Sequence, residues 1–309
     1  MSIASPEGRH LPAAHAAGGP VVAGRYQLKD LLGRGTLAQV FRAADLDGGP
    51  DVAVKVAVDD SAKHFERISN EAAVLAALRH HPSIVRFIGL GVVPGGTALA
   101  GRPFLVEELA LGPSLAEAAR TGRHHPDVVA GWARGLFEAL AHLHGEELVH
   151  RDIKPANLML SGLRRSPVRI VDFGIVAAAG SPAEPGVSSG TVHYMSPEQA
   201  SGGPVRPSWD VYAMGLVLLE LLTGSKAFPG TAIESLVART LRSPQVPDSL
   251  GPGWSAFLRS LTAMDSAERP TAAEAAGMAA RLLPVPVDEA NSPCRRMAVF
   301  PARRIRQLT

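Results

Sequence analysis

The sequence predicts an α+β fold, a small lobe of antiparallel strands with one helix followed by a larger, mainly helical lobe. Two observations carry this. The runs YQLKDLLGRG, AQVFRAAD and DVAVKVAV follow one another from Tyr26, separated by glycine-bearing turns. Farther on the texture turns helical, in DVVAGWARGLFEALAHLH, SWDVYAMGLVLLELLTG, ESLVARTLR and TAAEAAGMAARLL. Strands first and helices second is the order of an α+β chain rather than of an alternating α/β one.

Taken in order, residues 1–25 form a leader rich in Ala, Gly and Pro and lacking periodicity, which predicts flexibility. In VAVKVAV the valines 52, 54, 56 and 58 fall on one face of a strand, and Ala53, Lys55 and Ala57 on the other. Residues 64–79 predict a helix with Ile68, Leu75 and Leu78 on one stripe, and Glu71 interrupts that stripe. A carboxylate held against a core needs a partner, and Lys55 on the preceding strand is the candidate. Two further strands, SIVRFIGLGV and PFLVEELA, precede the helices. Residues 284–309 are Pro-rich and then basic, and read as a tail.

Bulk properties exclude several classes. The 309 residues carry a formal charge of +2, and five arginines of the tail (295, 296, 303, 304 and 306) outweigh it. The body is therefore no polyanion binder, and no nucleic-acid partner is expected. A single cysteine, Cys294, rules out an internal disulfide framework. The longest apolar run, MGLVLLELLTG, is too short for a membrane span and contains Glu220. No signal-peptide pattern is present at the start, so a cytoplasmic protein is expected. Only five lysines occur, Lys29, Lys55, Lys63, Lys154 and Lys226. Where arginine has taken most basic positions, a retained lysine points to a need for a compact ammonium.

Three stretches carry chemistry. In LLGRGTLAQV, Gly33 and Gly35 lie between two strands, where bare backbone amides can approach phosphate oxygens. Glycine hairpins are common, so this signal is weak alone; a dinucleotide fold would need a helix after the loop. HRDIKPANLML, residues 150–160, is far more specific than a solvated turn between buried strands. Phosphoryl transfer to a hydroxyl needs a carboxylate to orient it and accept its proton, a cation for the moving charge, and oxygen ligands for a metal. Asp152, Lys154 and Asn157 suit those roles. In VDFG, Asp172 leaves an apolar run beside a glycine; with Asn157 it supplies two oxygen ligands, which suits magnesium.

The ordered set of glycine loop, VAVK, helix glutamate, HRDIKPAN, DFG and SPE resembles a protein kinase of the bacterial Hanks (eukaryotic-like) serine/threonine type, from about Tyr26 to Leu283. The resemblance implies a bilobal protein-kinase-like fold, with an N-lobe over about 26–107, a hinge over about 108–112 and a C-lobe over about 113–283. It also implies ATP and Mg2+, with Mn2+ as an alternative ion, and protein substrates bearing Ser or Thr. Gly33 and Gly35 would then cover the phosphates, Lys55 would hold two of them while paired to Glu71, and Asp152 would be the base. Lys154 would meet the γ-phosphate, and Asn157 and Asp172 would bind the metal. Adenine would lie between Val40 and Ala53 above and Met159 below, with Glu108 and Ala110 offering backbone groups. Thr191 in GTVHYMSPEQA would stand near Asp152, Glu198 would pair with Arg269, and Asp210 would anchor the catalytic loop.

Arg151, directly before Asp152, implies that an activation-segment phosphate orders the loop. Autophosphorylation of Ser188 or Ser189 is expected, with Thr191 structural and Ser181 a further hydroxyl nearby. Four positions depart from the family pattern. Ala38 replaces the third glycine, Glu107 stands at the gatekeeper position where an apolar residue is common, Val192 replaces a proline, and Ser196 opens the SPE motif. None removes a catalytic group. That weighs against a pseudokinase or nucleotide-binding scaffold, as Lys154, Thr191 and SPE weigh against a small-molecule phosphotransferase.

Overall fold

The computed structural model describes residues 19–163, 166–182 and 191–284. Ser188, Ser189 and the arginines of the tail lie outside the described residues. The first lobe comprises β1 (Val21–Val22), β2 (Tyr26–Arg34), β3 (Ala38–Asp45), β4 (Val52–Ala57), α1 (Ala62–Ala77), β5 (Phe87–Val92) and β6 (Pro103–Glu108). The strands form one antiparallel sheet in the order β1-β2-β3-β4-β6-β5.

The period-2 pattern of β4 works as its residues dictate. Val52, Val54 and Val56 are buried with Tyr26, Leu28, Phe104 and Val106, while Lys55 shares the opposite face with Ala53. Part of the stretch expected as leader, 1–25, belongs to the sheet, because Val21–Val22 pair with Gln27 and Tyr26 and Val22 is fully buried in this core. The helix expected over 64–79 starts after Ser61 and ends at Ala77, where Leu78 is already extended. Its buried face reads Ile68, Glu71, Ala72 and Leu75, so the glutamate does sit in the apolar stripe.

The second lobe comprises α2 (Leu115–Arg120), α3 (Pro126–Gly145), β7 (Leu148–Val149), β8 (Leu158–Leu163), β9 (Ser166–Ile170), β10 (Ala177–Ala178), α4 (Pro197–Ala200), α5 (Ser208–Thr223), α6 (Ala232–Leu241), α7 (Pro252–Leu261) and α8 (Ala272–Arg281). Helices α2 and α7 went unread in the sequence, one being short and the other opening on Pro-Gly. β8 and β9 form an antiparallel hairpin, and β10 pairs with β7. This hairpin and α3 join the large core that also takes Ile68 and Leu75 of α1, so one apolar cluster runs through both lobes.

Helix α5 is buried on nearly all sides, from Trp209 to Leu222, as its unbroken apolar sequence requires. Its Gly215 permits close approach to the end of α7, since a Cβ there would lie 2.7 Å from Thr262 Cγ2 and 2.9 Å from Leu261 Cβ. Among the described residues no helix is long and apolar enough to cross a membrane.

One ion pair ties α4 to the loop before α8. The buried Arg269 guanidinium makes a two-pronged contact with Glu198, donates to Ser208 O at 3.0 Å and to Ala263 O at 2.9 Å, and lies 4.7 Å from the Tyr212 ring centroid. Removing one partner of a buried pair strands the other charge. Arg269→Leu should therefore lower stability by about 3 kcal/mol or more in urea unfolding. Adding Glu198→Leu should recover part of the loss; no recovery would mean that the carbonyl contacts, not the charge pair, carry the effect.

Candidate active site

The site forms where β4, α1 and the segment after β9 converge. Lys55 Nζ lies 2.7 and 2.8 Å from the two Glu71 oxygens and 2.6 Å from Asp172 Oδ1. The Phe173 N–H donates to Glu71 Oε1 at 3.0 Å, which fixes α1 against the DFG segment. Burial opposes the charge on Lys55, but Asp172, Glu71 and Glu107 outweigh it and raise its pKa. Desolvation also works to raise Asp172, whose side chain is 42 % exposed, yet the charge and hydrogen bond of Lys55 hold that carboxyl at about 2. Glu71, 2 % exposed, is pushed up by burial, against the pull of Lys55 and the Phe173 N–H.

A second cluster lies in the loop between β7 and β8. Lys154 Nζ donates to Asp152 Oδ2 at 2.8 Å, and Asn157 Nδ2 donates to the same oxygen and to Asp152 O, both at 3.0 Å. With its amide nitrogen committed to Asp152, Asn157 keeps its oxygen for another partner. The loop hangs from Asp210 at the start of α5, whose Oδ2 accepts from the His150 N–H and whose Oδ1 accepts from the Arg151 N–H, each at 2.8 Å. His144 on α3 adds a third contact to Asp210 at 2.9 Å.

Arg151 and Asp172 both adopt left-handed backbone, φ 68° and 65°, a costly conformation for residues with side chains. Asp210 holds the first in place, and Lys55 together with the Phe173–Glu71 bond holds the second. Gly174 lets these groups close up, since a Cβ there would lie 3.3 Å from both Asp172 Oδ1 and Glu71 Oε2. His150 is buried, its pKa lowered by desolvation, and its ring meets Phe173 edge-on at 5.0 Å.

The residues expected around a base lie on three strands, β3, β4 and β8. Val40 faces Lys55 across the β3–β4 ladder, Ala53 faces Glu107 across β4–β6, and Met159 faces Arg169 in the β8–β9 hairpin. Gly33 pairs with Val40, and the Gly35 N–H donates to Ala38 O at 2.8 Å to close the glycine turn. Space does not demand glycine at position 33, where an added Cβ would meet nothing within 4 Å.

Glu108 differs from expectation in one respect. Its N–H is already given to Arg86 O at 2.9 Å, so only its carbonyl remains for a base, and its side chain pairs with Arg169 at 2.6 Å. The N–H and C=O of Ala110 have no backbone partner among the described residues. Thr191 opens a 3-10 turn ending at His193, and Ser181 donates its hydroxyl to Ala178 O. The Glu108–Arg169 pair and the bond from Gln199 Nε2 to Arg151 O, at 3.1 Å, went unread in the sequence. Both join residues far apart in the chain whose side chains carry no local pattern.

These groups suit a nucleotide with a divalent cation. Asn157 and Asp172 offer hard oxygen donors, Lys55 a fixed ammonium, and Ala110 a donor and an acceptor that no backbone group engages among the described residues. Glu107 is the discordant member. It is 7 % exposed, its Oε1 has no hydrogen-bond partner among the described residues, and its pKa is pushed up to about 8. Burial is the main cause, followed by repulsion from Glu71 and then Asp172, with Lys55 opposing.

The folded protein therefore binds a proton that the unfolded chain has lost, so Glu107 favours folding at low pH and loses that contribution as the pH rises through about 8. Between pH 5 and 9 the melting temperature of the unliganded protein should fall more steeply than that of Glu107→Gln. Parallel profiles would show that the carboxyl is not held neutral.

A model of the protein kinase domain matches residues 26–279. The serine/threonine-protein kinase PknB of Mycobacterium leprae is 36% identical over 237 residues, which cover 74% of this chain and 37% of that protein. PrkC of Bacillus subtilis, also a serine/threonine-protein kinase, is 34% identical over 247 residues, 75% of this chain and 37% of its own length. The DNA damage-responsive serine/threonine-protein kinase RqkA of Deinococcus radiodurans is 38% identical over 239 residues, 74% of this chain and 34% of its own. The chain thus matches little more than a third of the length of these relatives. With the domain match running from β2 into α8, and with the Lys55–Glu71–Asp172 cluster joined to the Asp152–Asn157 loop by the bond from Val171 N–H to Asn157 O at 2.9 Å, this chain belongs to the protein kinase family, on its bacterial serine/threonine branch.

Proposed function

We propose that the protein is an ATP-dependent serine/threonine protein kinase, with Mg2+ as the working ion. The observation that carries this reading is the double contact of Lys55 with Glu71 and Asp172, because it aligns the phosphate-binding cation, α1 and a metal ligand at once. A scaffold that only bound a partner would have no need of that alignment. The bound nucleotide and ion supply the phosphoryl group and offset its charge; Asn157 and Asp172 would hold the ion.

The chain's own groups do the rest. Lys55 holds phosphate oxygens in place, its charge secured by three surrounding carboxyls. Asp152 orients the hydroxyl of a substrate Ser or Thr and takes its proton as the oxygen bonds to phosphorus and the bond to the leaving diphosphate breaks. Lys154, 2.8 Å from Asp152 Oδ2, brings a positive charge to the oxygens of the group in transit. Ala110 and the carbonyl of Glu108 receive the base, between Val40 and Ala53 on one side and Met159 on the other. Activation-segment phosphorylation at Ser188 or Ser189, read by Arg151, belongs to the same proposal, with Thr191 structural.

Incubation of the purified protein with Mg2+ and ATP should give phosphoserine or phosphothreonine on itself and on protein substrates, detected by mass spectrometry. Asp152→Asn should lower transfer by about 10²–10⁴-fold while ADP binding stays within a few-fold, since the lost group acts on the proton and not on the nucleotide. Equal turnover by this variant would overturn the assignment of the base. An unmodified activation segment in active protein would overturn the role given to Arg151.

A further inference from the structure

Glu107 is the last residue of β6 but one and directly precedes the hinge. Its register partner is Ala53, and that of Leu105 is Lys55, so Ala53, Lys55, Leu105 and Glu107 share one face of the sheet. Val54 and Val106 point the other way, into the upper core. Glu107 therefore stands on the cleft face, between the Lys55 cluster and the hinge.

Three carboxyls surround one ammonium there, and among the described residues Lys55 Nζ pairs with Glu71 and Asp172 alone. The third carboxyl is left nine-tenths buried with its Oε1 unpartnered among the described residues. An enclosed oxygen without a partner destabilises the unliganded site, and a ligand bringing the matching group would remove that penalty. The last torsion of a glutamate is broad and two-fold, so the carboxyl can turn its edge to a ligand without moving the strand.

A neutral carboxyl presents one donor and one acceptor side by side. Adenine offers the complement along one edge, the 6-amino donor beside the N7 acceptor, whereas guanine offers two acceptors, O6 and N7. We propose that Glu107 is a base-specificity residue of the nucleotide site, its carboxyl accepting from the 6-amino group of adenine and donating to N7, and that it thereby turns away guanine nucleotides. An ionised carboxylate would still accept from the amino group and repel O6, so the preference does not hang on the proton. The inference rests on the reading of the cleft as a nucleotide site.

Equilibrium binding of ADP and of GDP, measured by calorimetry on the full chain, tests it on wild type, Glu107→Gln and Glu107→Met. The amide of Gln keeps a donor and an acceptor, and Met fills the same space with neither. The ratio of GDP to ADP dissociation constants should fall about tenfold or more in Glu107→Met and stay near the wild-type value in Glu107→Gln. A ratio unchanged in Glu107→Met, including the case where both affinities drop together, would overturn the role of Glu107 and leave the nucleotide site standing. Failure of the wild type to bind ADP would remove the site and the inference together.

Discussion

Lys55 is the residue on which the arrangement turns. Its ammonium is held by Glu71 from α1 and by Asp172 from the segment after β9, so one side chain on β4 joins three pieces of chain. Most of the geometry around it has no purpose without that contact. Glu71 would be a buried charge in an apolar helix face, and the left-handed backbone of Asp172 would keep only the Phe173–Glu71 bond to hold it. The apolar cluster shared by both lobes keeps α1 close enough for the contact to form.

Asp210 plays the matching part in the lower lobe. A carboxylate at the start of a buried helix accepts two consecutive backbone N–H groups and a histidine, and that fixes the loop carrying Asp152, Lys154 and Asn157. The loop can then spend its own side chains on the cleft. Gln199, from α4, also reaches Arg151, so the segment expected to receive substrate is tied to the loop by a neutral hydrogen bond.

The end of β6 carries two successive glutamates with opposite fates. Glu108 finds Arg169 and stays paired, while Glu107 turns to the cleft face and its Oε1 finds no partner among the described residues. Alternation along β6 is the reason, since adjacent residues of a strand point to opposite sides. A single strand thus delivers one acid to a structural ion pair and holds the other near the cleft at a cost in burial.

Read alone, the sequence determined the lobes, the valine face of β4, the placement of Glu71 within an apolar stripe and the grouping of His150 to Asn157, because each is a short-range pattern with a fixed period or spacing. It also carried the family resemblance, which rests on the order of motifs. What it could not reach is set by residues brought together from distant parts of the chain: Arg169 with Glu108, Gln199 with Arg151, and three carboxyls around Lys55. The short β1 escaped for a related reason, since two valines become a strand only when Val22 finds the core beside Tyr26 and Leu28. The raised pKa of Glu107, and the lack of a partner for its Oε1 among the described residues, were likewise decided by tertiary structure, because burial and the count of neighbouring charges are properties of the folded cluster and of no local stretch.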